Sequence, residues 1–303
     1  MVKRLNLEGE SRLEEEKNEQ RTKKKRFTPA SLLILLLQVA FVVALVQVAR
    51  ILGAYMSADS SYKNIAESME EVEMEILPRE SADAENGGAS DGTAEGEAEE
   101  ETEEGEAVSY TYTVTHPDFE YLTSINGDVI GWIQIPGTAV NYPIVQGTDN
   151  EYYLTHLYTG DANSSGAIFL DAGTEQGLQD RNAIIFGHNM KNGGMFAALN
   201  SYSNWSYYNL HPYILVTGLD GTIMVYDIFS VYSLDASVEE NVSAVYLHGF
   251  GADEVFEEYL EQVKGRSFYD TGIQVTKEDY IITLSTCQKA DSSVRTIVQA
   301  VRR

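Results

Sequence analysis

Cys287 is the only cysteine in 303 residues, and it closes an apolar, β-prone run, Tyr280-Ile281-Ile282-Thr283-Leu284-Ser285-Thr286-Cys287. A lone thiol has no partner for an internal disulfide and makes a poor zinc site, so it is either a small buried hydrophobe or a nucleophile. Nucleophilic chemistry sets conditions on its neighbours. A free thiol with a pKa of about 8.5 is only a few per cent thiolate at neutral pH, so it works better beside a base or a cation. Acyl transfer also builds negative charge on a carbonyl oxygen, which a fixed donor must meet. His188 and Arg295 are the side chains that could supply both. His188 follows the run Ala183-Ile184-Ile185-Phe186 and then Gly187, which puts an imidazole at the mouth of a strand where it can face a cleft. Arg295 lies eight residues beyond Cys287 in Val294-Arg295-Thr296-Ile297-Val298-Gln299-Ala300-Val301, an arginine on an otherwise apolar strand. Its guanidinium keeps its charge and offers rigid donors. The bland alternatives are a structural histidine and a salt-bridged edge arginine. His116 precedes a proline, His156 and His211 lie in Tyr-rich segments, and His248 sits in a Gly-flanked loop, so these four have simpler explanations.

Strands must carry this set. From about Val108 the chain is rich in Tyr, Ile and Val, and short β-prone runs recur between turn signals. They are Val129–Ile135, Ala139–Val145, Ala167–Leu170, Ala183–Phe186, Tyr213–Thr217, Thr222–Leu234, Tyr280–Thr286 and Val294–Val301. Asp220-Gly221 suggests a tight hairpin. Two segments have helical spacing instead. In Asp253–Lys264, Val255, Phe256, Tyr259, Leu260 and Val263 share a face, with Asp253 able to cap the start and Gly265 to end it. Asp118–Asn126 offers a shorter helix with Phe119, Leu122 and Ile125 inward. Together these predict a small barrel dominated by β structure, with a few helices.

The first hundred residues are of another kind. Ala30 to Ala49 carry no charge over 20 positions, enough to span a hydrocarbon layer of roughly 30 Å. Lys23-Lys24-Lys25-Arg26 precede this run and Arg50 alone follows closely, so the positive-inside rule puts the N-terminus in the cytoplasm and the rest outside. The apolar run is too long for a signal-peptide core, and Met56-Ser57-Ala58 is a poor cleavage site, so an uncleaved anchor is the expectation. The formal net charge of −26 is concentrated from Ser57 to Ala107, where 18 acidic residues face Lys63 and Arg79. Such a stretch is expected to be a disordered, extended spacer, and the acidity argues against nucleic acid as a partner. The expected organisation is a cytoplasmic tail over 1–29, a transmembrane helix over 30–50, an acidic disordered linker over 51–107 and a catalytic domain over 108–303. No metal-ligand spacing, phosphate-cradling glycine loop or cofactor fingerprint is present in the sequence, so none of these groups is expected.

Thr283-Leu284-Ser285-Thr286-Cys287, the downstream Arg295-Thr296-Ile297-Val298 and the upstream Phe186-Gly187-His188-Asn189-Met190 resemble the motifs of class B sortases. Gly131-Trp132-Ile133 and Asn141-Tyr142-Pro143-Ile144-Val145-Gln146 extend the resemblance, which covers roughly residues 116–303. The helix expected at Asp253–Lys264, ahead of the cysteine strand, points to class B rather than class A. The resemblance implies an eight-stranded sortase-type β-barrel and a cysteine transpeptidase anchored in the cell membrane with its catalytic domain extracellular. By position it implies Cys287 as nucleophile, His188 as acid/base and Arg295 as the group that holds substrate and oxyanion. It also implies Ser285 and Asn141 in the substrate groove. The implied partners are secreted proteins with a C-terminal sorting motif, cleaved after Thr, and an amine of peptidoglycan or its lipid-linked precursor. A pilin-polymerising enzyme, a cysteine hydrolase and a tethered wall-binding module are the alternatives. Some members carry an acid directly after the cysteine. Here Gln288-Lys289 follow, and Asp291 is the only close acid.

Overall fold

β-branched and aromatic residues, punctuated by glycine turns, close the second half of the chain into a barrel. The computed structural model describes residues 29–77, 110–287 and 293–303. It divides into two compact units, Met1–Gly53 and Ala54–Arg303.

Two strands, β1 (Glu70–Ile76) and β2 (Tyr110–His116), pair with each other ahead of the barrel. The barrel strands are β3 (Val129–Gln134), β4 (Asn141–Val145), β5 (Ile168–Leu170), β6 (Asn182–Phe186), β7 (Tyr213–Gly218), β8 (Ile223–Asp235), β9 (Ile281–Cys287) and β10 (Val294–Arg302). These eight close on themselves in the order β10-β8-β7-β3-β4-β5-β6-β9. All eight runs expected from the sequence are strands, within one or two residues at each end. Two neighbouring pairs, β4–β5 and β6–β9, are parallel and the others antiparallel. Closure leaves the barrel without a free edge. Its interior is filled by side chains such as Trp132, Ile144, Phe169, Ile185, Leu284 and Val298, all essentially buried.

The helix expected near residue 253 runs Asp253–Gly265 and buries Phe256, Tyr259, Leu260 and Val263 against Phe229, Ile297 and Val301 of β8 and β10. Its N-cap is Ala252 rather than Asp253, whose carboxylate instead meets Arg181 at 2.8 Å. Gly265 is its last residue and Arg266 the C-cap. The shorter expected helix runs Phe119–Ile125, and Asp118 caps it by accepting from the Tyr121 amide at 2.9 Å.

The segment before the barrel corrects the sequence reading. Helix Pro29–Ser68, here α1, is 40 residues long, and its first part is long and apolar enough to cross a membrane. In the first unit its apolar side chains, from Leu32 to Leu52, are exposed. Residues 51–68, expected to open the disordered linker, continue this helix, and 70–76 form β1. The pairing of β1 with β2 is antiparallel. Within the second unit Ala58, Tyr62, Ile65 and Met69 are buried in the same apolar cluster as the barrel interior, while Val72, Met74 and Ile76 pack with Tyr213 and Leu215 of β7. The second unit therefore starts at Ala54 rather than near residue 108. The expected tail and the linker from 78 to 107 lie outside the described residues, apart from Pro29.

Candidate active site

Two register relations bring the sequence-identified residues together. On the antiparallel pair β9–β10, Cys287 stands directly opposite Arg295. Opposed Cα atoms on such a pair are about 4.5–5.5 Å apart. On the parallel pair β6–β9, Phe186 stands beside Ser285, and the Gly187 amide donates to the Ser285 carbonyl at 3.2 Å. His188 comes two residues after Phe186 and Cys287 two residues after Ser285, so the paired ends of these two strands lead into both residues. A side chain at Gly187 has no room: a Cβ there would lie 2.5 Å from Ile168 Cδ1 and 2.7 Å from Phe196 Cδ2. Glycine lets the chain leave the crowded barrel at this point and present the next residue to the surface.

His188, Ser285, Thr286 and Arg295 line one cleft of about 340 Å³. Phe169 and Phe186 form its apolar base, their ring centroids 5.4 Å apart. Helix Glu239–Val245 and the residue after it, Tyr246, supply the opposite wall through Val242 and Tyr246. The Tyr246 ring meets Phe186 edge-on at 5.3 Å, and its hydroxyl lies 2.7 Å from Ser285 Oγ. Thr286 is buried, and its Oγ1 has no hydrogen-bond partner among the described residues. A buried hydroxyl without a partner is costly unless something else satisfies it, and this one belongs to a residue lining the cleft.

The imidazole of His188 is held by a backbone carbonyl. Its Nε2 lies 2.7 Å from the Leu154 oxygen. A carbonyl oxygen only accepts, so Nε2 carries the proton, and in the neutral ring Nδ1 is the free basic atom. The His188 carbonyl in turn accepts from the Phe196 amide at 2.9 Å, which closes the loop that follows. The Leu154 carbonyl thus fixes the ring's orientation and tautomer, as the acid of a catalytic triad does, but through Nε2 rather than Nδ1. Gln288, Lys289 and Asp291 fall outside the described residues.

Asn141 is not part of this cleft. Its Oδ1 accepts from Trp132 Nε1 at 2.6 Å and its Nδ2 donates to Thr115 Oγ1 at 2.9 Å. It lines a second cleft of about 460 Å³ with Tyr55, Tyr62, Tyr142 and Met190. The sequence reading missed Leu154 and Tyr246. Leu154 acts through its backbone, which leaves no signal in residue type. Tyr246 is one of 19 tyrosines, and only the fold singles it out. The four other histidines lie outside the cleft. His156 stacks on Tyr152 at 4.0 Å, His211 Nδ1 is 2.9 Å from the Pro136 carbonyl, and His248 Nε2 is 3.6 Å from Asp171.

Residues 133–303 match the family model of the sortase domain. The chain is 39% identical over 168 residues to sortase B of Listeria monocytogenes, a match covering 55% of this chain and 65% of that protein. It is 33% identical over 176 residues to sortase B of Staphylococcus aureus, covering 58% of this chain and 70% of that one. The chain thus spans about two thirds of the length of these relatives. A crystal structure of a sortase B complexed with triglycine superposes with a TM-score of 0.56 at 31% identity, covering 62% of this chain and 86% of that one.

Proposed function

This chain belongs to the sortase family, with class B members as its relatives, and from that premise we propose that it is a membrane-anchored cysteine transpeptidase acting outside the cell. In this reading the Cys287 sulfur attacks the carbonyl carbon of the Thr in a sorting motif of a secreted protein. His188 Nδ1 takes the thiol proton and later gives a proton to the departing amine. Arg295 meets the charge that builds on the carbonyl oxygen in both tetrahedral intermediates. The peptide bond breaks, a thioester forms, and the amine of a second substrate displaces the thiol to make a new amide. The class suggests a motif of the Asn-Pro-x-Thr type. The sortase B held with triglycine suggests a glycine-type amine as acceptor, as in a peptidoglycan cross-bridge or its precursor. The apolar first part of α1 would be the anchor, and the basic cluster before it would keep the N-terminus in the cytoplasm.

One observation carries this reading: the barrel register sets Cys287 opposite Arg295 on β9–β10 and Ser285, two residues before Cys287, beside the end of the strand that leads into His188. A packing role for the cysteine would not need a histidine held by a carbonyl and an arginine at the same cleft. The test is to incubate the full chain in detergent micelles with an Asn-Pro-x-Thr peptide series and triglycine, and to identify products by mass spectrometry. Ligated product is expected from the native chain and none from Cys287→Ala. Ligation by Cys287→Ala would refute the nucleophile, and free acid in place of ligated product would mark a hydrolase.

A further inference from the structure

We propose that Tyr62, on the part of α1 that belongs to the second unit, is a positioning residue that holds the imidazole of His188 in place by fixing the loop whose carbonyl it uses. The inference rests on the reading of His188 as acid/base. It begins with a buried hydroxyl. Tyr62 is 4% exposed, donates to the Gly166 carbonyl at 2.8 Å and accepts from the Tyr158 amide at 3.3 Å, about a hundred residues away in sequence. Gly166 packs directly against the His188 seat. It has φ +61, and a Cβ there would lie 2.6 Å from the Tyr153 carbonyl oxygen, 2.9 Å from that of Leu154 and 3.0 Å from His188 Cδ2. Positive φ and the absence of room both demand glycine, so the Gly166 backbone lies against the carbonyl that accepts the hydrogen bond of His188 Nε2.

Leu157 and Tyr158 bury their side chains in the core and Asn126 Nδ2 donates to the Tyr158 carbonyl at 2.7 Å, and further ties fix the two ends of the loop. The Ala167 amide donates to the Tyr153 carbonyl at 2.9 Å, joining the loop's end to its start. Asn163 Nδ2 donates to the Ala54 carbonyl at 3.0 Å, a second tie to the same helix. Tyr62 also reaches the other side of His188. Its ring meets Tyr142 edge-on at 5.2 Å, and the Tyr142 hydroxyl accepts from the Met195 amide at 3.0 Å. Met195 has φ 54, a strained value for a residue with a side chain, and sits one residue before Phe196, whose amide binds the His188 carbonyl. One tyrosine thus links the segment that holds the His188 ring to the segment that holds its backbone.

Tyr62→Phe keeps the ring contacts and removes the hydroxyl, leaving the Gly166 carbonyl and the Tyr158 amide without their partner. The test uses the full chain in detergent micelles, labelled with ¹⁵N-histidine. Long-range ¹H–¹⁵N spectra distinguish a proton on Nε2 from one on Nδ1, and His188→Gln assigns the signal. The native ring is expected as the Nε2–H tautomer. Tyr62→Phe is expected to give a mixture of tautomers at His188, leave His116, His156, His211 and His248 unchanged, and lower kcat for ligation about tenfold with KM for the peptide unchanged. The control is Ile65→Val, buried on the same helix face but outside this network, which is expected to lower the thermal midpoint and leave the His188 signal alone. An unchanged His188 tautomer in Tyr62→Phe, or an equal change in Ile65→Val, overturns the proposal. If Tyr62→Phe does not fold, Asn163→Asp takes its place: it cuts the second tie to the helix and keeps the acceptor oxygen for the Ser165 amide. A His188 signal unmoved by that variant also overturns the proposal. The spectra are read without turnover, so a native chain that fails to ligate any peptide would refute the transpeptidase reading while the tautomer still decides the role of Tyr62.

Discussion

Arg295 shows what residue-level geometry adds to residue type. It is half-buried at the cleft, flanked on one side by Leu234 of β8 and on the other by Cys287 of β9. In the proposed reaction its guanidinium meets the negative charge that builds on the carbonyl oxygen attacked by Cys287. Lysine would keep the charge and lose the planar fork of donors. Arg295→Lys is therefore expected to lower kcat for ligation by about ten- to a hundredfold, since one oxyanion donor is worth about 10²–10³ and part of it survives. KM for the peptide is expected to change little if the interaction forms only in the transition state. Steady-state kinetics with a sorting peptide and triglycine check this. A raised KM with kcat intact would instead assign Arg295 to holding the substrate in its ground state.

At the level of elements, the barrel strands and the two helices expected at Asp118–Asn126 and Asp253–Lys264 were legible because their periodicity is strong and their ends are marked by turn residues, whereas the short helices Trp205–Leu210 and Glu239–Val245 were not foreseen. The misreading of residues 51–77 has a definite cause. Net charge summed over a long window hides period. Ala58, Tyr62, Ile65 and Met69 fall at helical spacing between Asp59, Lys63 and Glu67, and Val72, Met74 and Ile76 alternate strictly with Glu71, Glu73 and Glu75. Each pattern buries one face and leaves its acids in water. The three candidate catalytic residues could be named from the sequence, but their juxtaposition depends on the parallel β6–β9 pairing between distant segments, which local pattern does not reveal. A buried polar network secures that pairing. Thr283 Oγ1 donates to Asn182 Oδ1 at 2.7 Å across β9–β6 and accepts from Gln299 Nε2 of β10 at 2.9 Å, and Gln299 also donates to the Tyr259 hydroxyl at 2.8 Å. Thr283→Val preserves shape and strands the Asn182 oxygen without that donor, a cost of about 1–3 kcal/mol. The thermal midpoint is expected to fall by roughly 3–10 °C, and Thr283→Ser, which keeps the hydroxyl, by less. Equal losses in the two variants would place the cost in packing rather than in the network.

Over the whole molecule, the second unit holds together by burying phenols as well as hydrocarbon, and this sets its upper pH limit. Burial pushes the hydroxyls of Tyr208, Tyr226 and Tyr259 up to about 12 each, since the charged phenolate cannot be solvated inside. For Tyr259 this holds even though Thr283, Gln299 and Asn182 offer hydrogen bonds that pull the other way. The folded state therefore holds these protons more tightly than the unfolded chain, whose phenols titrate near 10. Their contribution is fully present below about pH 10 and is lost as the pH rises through about 12. Two units correspond to about 2–3 kcal/mol per phenol as an upper bound. Losing three such contributions is comparable with the 5–15 kcal/mol typical of a folded domain. The three sit on different elements, in the helix Trp205–Leu210, in β8 and in the helix Asp253–Gly265, so their ionisation loosens the barrel from several sides at once. A pH titration of the full chain in micelles, followed by circular dichroism and by phenolate absorbance together, is expected to show β-sheet signal lost cooperatively between about pH 10 and 12. The last phenols should ionise in the same step rather than before it. Phenolate absorbance that reached its plateau near pH 10 with the β signal intact would mean that these tyrosines titrate in the folded barrel and do not limit its stability.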